Sequence, residues 1–484
     1  MRIRLLTLRH LGTVLSYSVL SLFDDPFPFI EKVLLRFPSR ASSRLQQGIS
    51  SCRLRFQGGE TELDRELRRV HRRIGEPLER DVRESLDYRP AEAIRVLFLL
   101  NNASPYTKSG YTVRTDEMIS SLVGQLDCYF RATRLGYPSI VGRYPKNRPH
   151  DLLLTIPFWF SSSESKRFEA TVERLVNFCK QKNITLLHAT TGFENAQIAA
   201  EVARRLNIPW VYEMRGEPYN TWLSKFEGAE KETARESEIY KRWALKELEA
   251  ARSASGVVAL SEITRTELIE RGCAKEFVIR MPNAIDKTYL DFRESNEGKN
   301  SQISDGTIRI GCISSLVDYE GIDDAIRAMK FLPENVELVV VGSGIQERAL
   351  KKLRDSVSET ERIQFVGHRS KEEMPYWYSS LDVLLVPRKD TEVTRRVTPI
   401  KPLPALALGV PVVASDLPAL REVTGGFAKF VQAEDPASIA RGVCEVLENR
   451  STYLPSEEWV NIRTWEAQSA TLIGLYRRLL GQRT

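Results

Sequence analysis

A chain of 484 residues is too long for one hydrophobic core, because single cores stop growing near ~250–300 residues, so two domains with appendages are expected. Its 42% hydrophobic and 28% charged residues exclude a wholly disordered chain. The net charge of +6 sits wholly in residues 1–56, which hold nine basic and three acidic residues; the balanced remainder excludes a folded domain with a basic face for nucleic acid.

In chain order, the apolar segment 11–23 is too short for a membrane span, which needs roughly 20 such residues. No small-residue cleavage site follows it cleanly, as a signal peptide would require. Two readings stay open for residues 1–56. One is an interfacial helix whose Arg2, Arg4 and Arg9 meet anionic headgroups; the other is an extension packed on the main body. Residues 57–90 are charge-rich, with helical spacing at Leu63, Leu67 and Val70. The pattern then changes. Residues 94–100 (IRVLFLL) read as a buried strand, and further strands are expected over 152–156, 184–188, 210–213 and 257–260. Helices are expected over 111–123, 165–182, 193–206, 231–254 and 262–271. Such alternation implies a parallel sheet covered by helices on both faces.

The polar stretch 291–306 (DFRESNEGKNSQISDG) reads as a linker. Strands resume over 308–313, 336–341, 363–366, 383–386 and 410–414. A final helical stretch over 457–480 carries Trp459, Trp465, Leu472 and Tyr476. The expected architecture is α/β. A mostly helical extension over 1–92 precedes a doubly wound, Rossmann-like domain over 93–290. A second such domain, over 305–455, faces the first across a cleft, and a helix over 456–484 crosses back to the first domain. The cysteines Cys52, Cys128, Cys179, Cys273, Cys312 and Cys444 show no paired spacing and no metal pattern, which fits a reducing, cytoplasmic setting.

Ligands bind beyond the carboxyl ends of parallel strands, so polar residues there are the candidates. After the first strand, Ser109, Gly110 and Tyr111 open a helix whose N-terminus favours an anion, which makes them donor-binding candidates; a simple capped turn is the other reading. No G-x-G-x-x-G follows that strand, which counts against a dinucleotide. His188 closes one strand, and Glu213 and Arg215 close the next; an acceptor-side catalytic group and a structural ion pair both fit them. In the second half, Gly342 and Gly344 follow a strand and precede a helix, a turn that can approach a phosphate or nucleotide, and His368 ends another strand; all three are donor-binding candidates. Arg395, Arg396 and Lys401, with Thr398 between them, concentrate positive charge before a helix start, which suits a diphosphate.

These segments resemble the family-4 glycosyltransferases. SGYTVRT (109–115) is similar to their first-loop motif, HATTGFEN (188–195) and YEMRG (212–216) to their acceptor-side strand ends, and PNAID (282–286) to their hinge entry. DYEGID (318–323) resembles a variant donor loop, and VTPIKPL (397–403) with ALGVPVVASD (407–416) resembles their donor-sugar motif. The resemblance implies a GT-B fold and retaining transfer of a sugar from a nucleoside diphosphate sugar to a glycan or lipid-linked acceptor. No cofactor or metal is implied. A role in cell-surface polysaccharide or glycolipid synthesis, and a peripheral position at the inner face of a membrane, fit the basic N-terminus.

Two departures stand out. The family carries two glutamates eight positions apart in the donor motif; in register, this chain has Arg396 and Pro404. The family often holds the diphosphate with an Arg and a Lys in the first donor-domain loop, which here reads SSLVDY (314–319) with neither. Arg395, Arg396 and Lys401 are the basic residues available instead. These losses keep two alternatives open: a catalytically silent homologue serving as a binding or scaffold subunit, and a nucleotide-sugar epimerase.

Overall fold

The computed structural model describes residues 93–482 except 108, 135–136, 138–149, 154–163 and 297–305. The extension 1–92 lies outside the described residues, as do the middle of the expected linker and most of the strand expected over 152–156.

Seven parallel strands form the first sheet: β1 (Arg95–Leu100), β2 (Cys128–Thr133), β3 (Leu152–Leu153), β4 (Leu186–Thr190), β5 (Trp210–Met214), β6 (Gly256–Ala259) and β7 (Val278–Arg280). Their spatial order is β3-β2-β1-β4-β5-β6-β7. Six parallel strands form the second: β8 (Ile308–Ile313), β9 (Val336–Val341), β10 (Ile363–Gly367), β11 (Val383–Val386), β12 (Val412–Ser415) and β13 (Lys429–Val431), in the order β10-β9-β8-β11-β12-β13. In each sheet the winding reverses once, between β1 and β4 and between β8 and β11. A ligand crevice opens at such a reversal. Helices cover both faces, so alternate residues of β1 enter two different cores: Leu97 and Leu99 on one side, Val96, Phe98 and Leu100 on the other.

Several elements differ from expectation for identifiable reasons. β2 (CYFRAT) is half polar and half buried, and β7 and β13 are three-residue edge strands, so none shows a continuous apolar run. The helix expected over 231–254 divides into Gly228–Glu236 and Glu238–Ser253 at Ser237, whose hydroxyl accepts from Tyr240 N at 3.3 Å. The expected linker begins as a helix, Lys287–Ser295, capped by Asp286. The terminal stretch divides into Glu457–Asn461 and Trp465–Leu479.

The chain passes between the domains twice, and the two passages pair. Ile285 N donates to Arg463 O at 2.7 Å, and Trp465 N donates to Ile285 O at 3.2 Å. The last helix then packs into the first domain, where Trp465, Leu472, Leu475 and Tyr476 join the core with Phe98 and Met118.

Candidate active site

On the first-domain side, Ser109 caps the helix Gly110–Leu122. Its hydroxyl accepts from Thr112 N, and Thr112 Oγ1 accepts from Ser109 N at 2.9 Å. Gly110 is exposed, with open space around it. Tyr111 lays its hydroxyl against Gly216, where a Cβ would stand 2.5 Å from that oxygen.

His188, Glu213 and Arg215 meet beside these residues, but sealed from solvent, with side chains 0%, 0% and 2% exposed. Glu213 Oε1 accepts from Arg114 Nε at 2.8 Å and Oε2 accepts from Arg215 Nη2 at 2.6 Å. Burial alone would raise the Glu213 carboxyl; Arg215 and Arg114 together hold it well below the usual range. His188 Nε2 lies 3.2 Å from Glu213 Oε2 and Nδ1 lies 2.5 Å from the Tyr476 hydroxyl. Burial lowers the imidazole pKa, so a neutral ring donates a hydrogen bond through its one N–H to the Glu213 carboxylate and accepts one from Tyr476. Arg114 also donates to the carbonyls of Met281 and Pro282, and Arg215 to Tyr111 O at 2.8 Å. Of the two readings open for these three side chains, an acceptor-side group and a structural ion pair, their burial against one another favours the ion pair. Apart from Arg215 Nε, their polar atoms are taken up within this network and by its neighbours, and the network props the cleft wall at Tyr111 and Gly216.

On the second-domain side, a different cluster stands at the reversal between β8 and β11. Arg388, two residues past β11, forks onto Glu320: Nη2 to Oε1 at 3.0 Å and Nε to Oε2 at 3.3 Å. Lys401 Nζ reaches Glu320 Oε1 at 2.5 Å. Burial works against the carboxylate, yet Arg388 and Lys401 hold its pKa near about 2. Burial depresses Lys401 to about 8 although Glu320 supports its charge. Two cations share one anion, which leaves the group with one positive charge at the sheet's ligand crevice.

The other expected donor residues divide. Arg395 is exposed and paired with Asp390 at 2.5 Å. Arg396 reaches across to the first domain, 2.7 Å from Glu217 and also bonded to Glu267. Thr398 is buried; its carbonyl accepts from Asn283 Nδ2 at 2.9 Å. Gly342 (φ +140) and Gly344 have a reason other than phosphate: a Cβ would stand 1.8 Å from Ser314 O and 2.3 Å from Leu316 O, so both glycines serve the packing of two adjoining loops. His368 is exposed just beyond β10. Pro404 is buried in the helix Pro402–Ala407. The sequence does not mark Arg388 and Glu320 as a pair; its one signal is a charged residue, Arg388, just past the carboxyl end of a strand.

More ion pairs join the domains. Lys371 of the second domain lies 3.0 Å from Asp286 at the hinge and bonds Glu117 of the first. Glu392 pairs with Lys231 at 3.0 Å and with Arg235. The two walls of the cleft are thus clasped together at several points.

Comparison with known proteins agrees with this architecture. Residues 110–284 match the glycosyl transferase 4-like domain and residues 307–449 match the glycosyl transferases group 1, together about two thirds of the chain. The 2-deoxystreptamine glucosyltransferase of Streptomyces kanamyceticus is 26% identical over 256 residues, 50% of this chain and 63% of that protein. The GDP-mannose-dependent alpha-(1-6)-phosphatidylinositol monomannoside mannosyltransferase of Mycobacterium tuberculosis is 26% identical over 185 residues, 34% of this chain and 46% of that protein. The chain thus spans less than two thirds of the length of either relative. Among solved structures, sucrose-phosphate synthase from Thermosynechococcus elongatus shares the fold, with a TM-score of 0.61 at 18% identity over 80% of this chain and 99% of that one. Two matched halves on two doubly wound sheets, facing each other across a cleft, make this chain a glycosyltransferase of the family-4 type with the GT-B fold.

Proposed function

We propose that the chain transfers a sugar from a nucleoside diphosphate sugar to a glycan or glycolipid acceptor, with retention at the anomeric carbon, in the assembly of a cell-surface polysaccharide or glycolipid. The observation that carries this reading is the Arg388–Glu320–Lys401 group at the β8/β11 reversal, with its one unneutralised positive charge. A diphosphate seated there would find a cationic floor where charge develops as the sugar leaves. The acceptor would approach from the opposite wall, at Tyr111 and Gly216, and closure of the walls would keep water from the transferring sugar. The donor class and a lipid-linked acceptor also agree with the name of the mycobacterial relative.

No described helix is long and apolar enough to cross a membrane. The charge excess of residues 1–56 suits peripheral attachment, since each Lys or Arg near an anionic surface contributes about 1 kcal/mol. Deletion of residues 1–56 should release the protein from phosphatidylserine-containing vesicles; retained binding in a sedimentation assay would rule that attachment out.

The central test is thermal denaturation with UDP, GDP, ADP or TDP. A nucleotide at ~100 times its dissociation constant stabilises a native state by about 2.7 kcal/mol. One nucleotide should raise Tm clearly and so name the base. A folded sample that responds to none has no working donor site. With the base known, the anomeric configuration of the product by NMR decides retention.

A further inference from the structure

We propose that Glu320 is a positioning residue for the leaving diphosphate: its carboxylate gathers Arg388 and Lys401 into one preassembled cationic floor. The inference rests on the donor reading above.

The group is built rather than incidental. Gly321 adopts φ +68, and a Cβ there would stand 1.8 Å from Pro387 O, so the loop bearing Glu320 closes directly on the strand end bearing Arg388. Lys389 N donates to Tyr319 O at 3.0 Å and locks the same approach. Arg388 Nη1 donates to Val397 O at 3.0 Å, which ties in the segment that leads to Lys401. Glu320 and Arg388 are 7% exposed, whereas Lys401 is 21% exposed and is the member open to a ligand.

Energetics argue the same way. A buried ion pair is at best a weak source of stability, and a surplus buried cation is a cost that an anionic ligand removes. The other titratable groups facing Lys401 and Glu320 are neutral near pH 7. Burial pushes the Cys312 thiol up to about 12, and it raises the phenols of Tyr319 and Tyr378. The charge of the floor is therefore set by Glu320, Arg388 and Lys401 alone. Glu320 opposes the burial that lowers Lys401, and so keeps its ammonium charged at neutral pH.

The experiment measures Kd by calorimetry for UDP, GDP, ADP and TDP, then follows the tightest from pH 7 to pH 9. The terminal phosphate, with a second pKa near ~6, is already about nine-tenths ionised at pH 7 and changes little across that window. Wild type should bind about tenfold more weakly at pH 9 than at pH 7, as Lys401 loses its proton around about 8. Lys401→Arg, always charged, should abolish this fall. Glu320→Gln should weaken binding at pH 7 and move the fall to lower pH. Wild-type affinity and an unshifted profile in Glu320→Gln would overturn the inference while the donor reading stands. If Glu320→Gln does not fold, a wild-type fall in Lys401→Arg overturns it equally. No binding of any of the four by folded wild type would overturn the donor reading, and this inference with it.

Discussion

Glu213 keeps its negative charge away from water because Arg114 and Arg215 approach it from two sides. Glu213→Ala leaves both guanidinium groups buried without their anion and should cost about 3–5 kcal/mol, read as a lower urea midpoint. Loss below ~1 kcal/mol would show that the arginines find other partners. Only part of this network was legible in the sequence. Polar residues at the ends of successive strands marked His188, Glu213 and Arg215 as a group, since parallel neighbours bring such ends together. Their closure against solvent was not legible, because it depends on Arg114, 99 residues from Glu213, and Tyr476, 288 residues from His188. The same distance effect hid Arg388, which meets Glu320 across 68 residues.

Elements buried on both faces were the easiest to read. β8, β9 and β11 lie where their apolar runs put them, because a central parallel strand has no wet side to interrupt the run. Breaks at Ser237 and around 462–464 were harder, since an N-cap can end one helix and start the next without a glycine or proline to mark it. The junction of three elements also yields a pH dependence. Glu117 on the helix Gly110–Leu122, Asp286 at the head of the helix Lys287–Ser295, and Lys371 beyond β10 share one site. Burial first, then the hydrogen bond with Asp286, raises Glu117 from 4.5 to about 7 against the pull of Lys371. A carboxyl raised on folding contributes fully below its unfolded pKa and loses that contribution as pH rises through its folded one. Stability should fall between pH 4.5 and about 7, by on the order of 1–2 kcal/mol, and Glu117→Gln should flatten the slope. Asp286 is lowered and titrates below this window. Parallel denaturation curves for wild type and Glu117→Gln across the window would contradict the assignment.

At the scale of the whole molecule, the clasp between the domains is mostly ionic: Arg396 with Glu217 and Glu267, Glu392 with Lys231 and Arg235, Lys371 with Glu117 and Asp286. Salt shortens the reach of such pairs, from a Debye length of about 10 Å at 0.1 M to about 3 Å at 1 M. The free protein should show a larger radius of gyration by X-ray scattering at 1 M salt than at 0.1 M, and a bound nucleotide should reverse the change. An invariant radius would mean that the paired passages at Ile285 and Thr464, not the charges, hold the domains together. That return of the chain also sets a schedule for synthesis. The first sheet is complete at Arg280, yet the helix that fills its remaining groove begins only at Trp465. At ~5–20 residues per second a ribosome leaves the groove beside Phe98 and Met118 open for roughly 10–40 s. The domain translated first is therefore the one finished last, and a message truncated before Trp465 would yield a chain that presents that groove to chaperones and proteases.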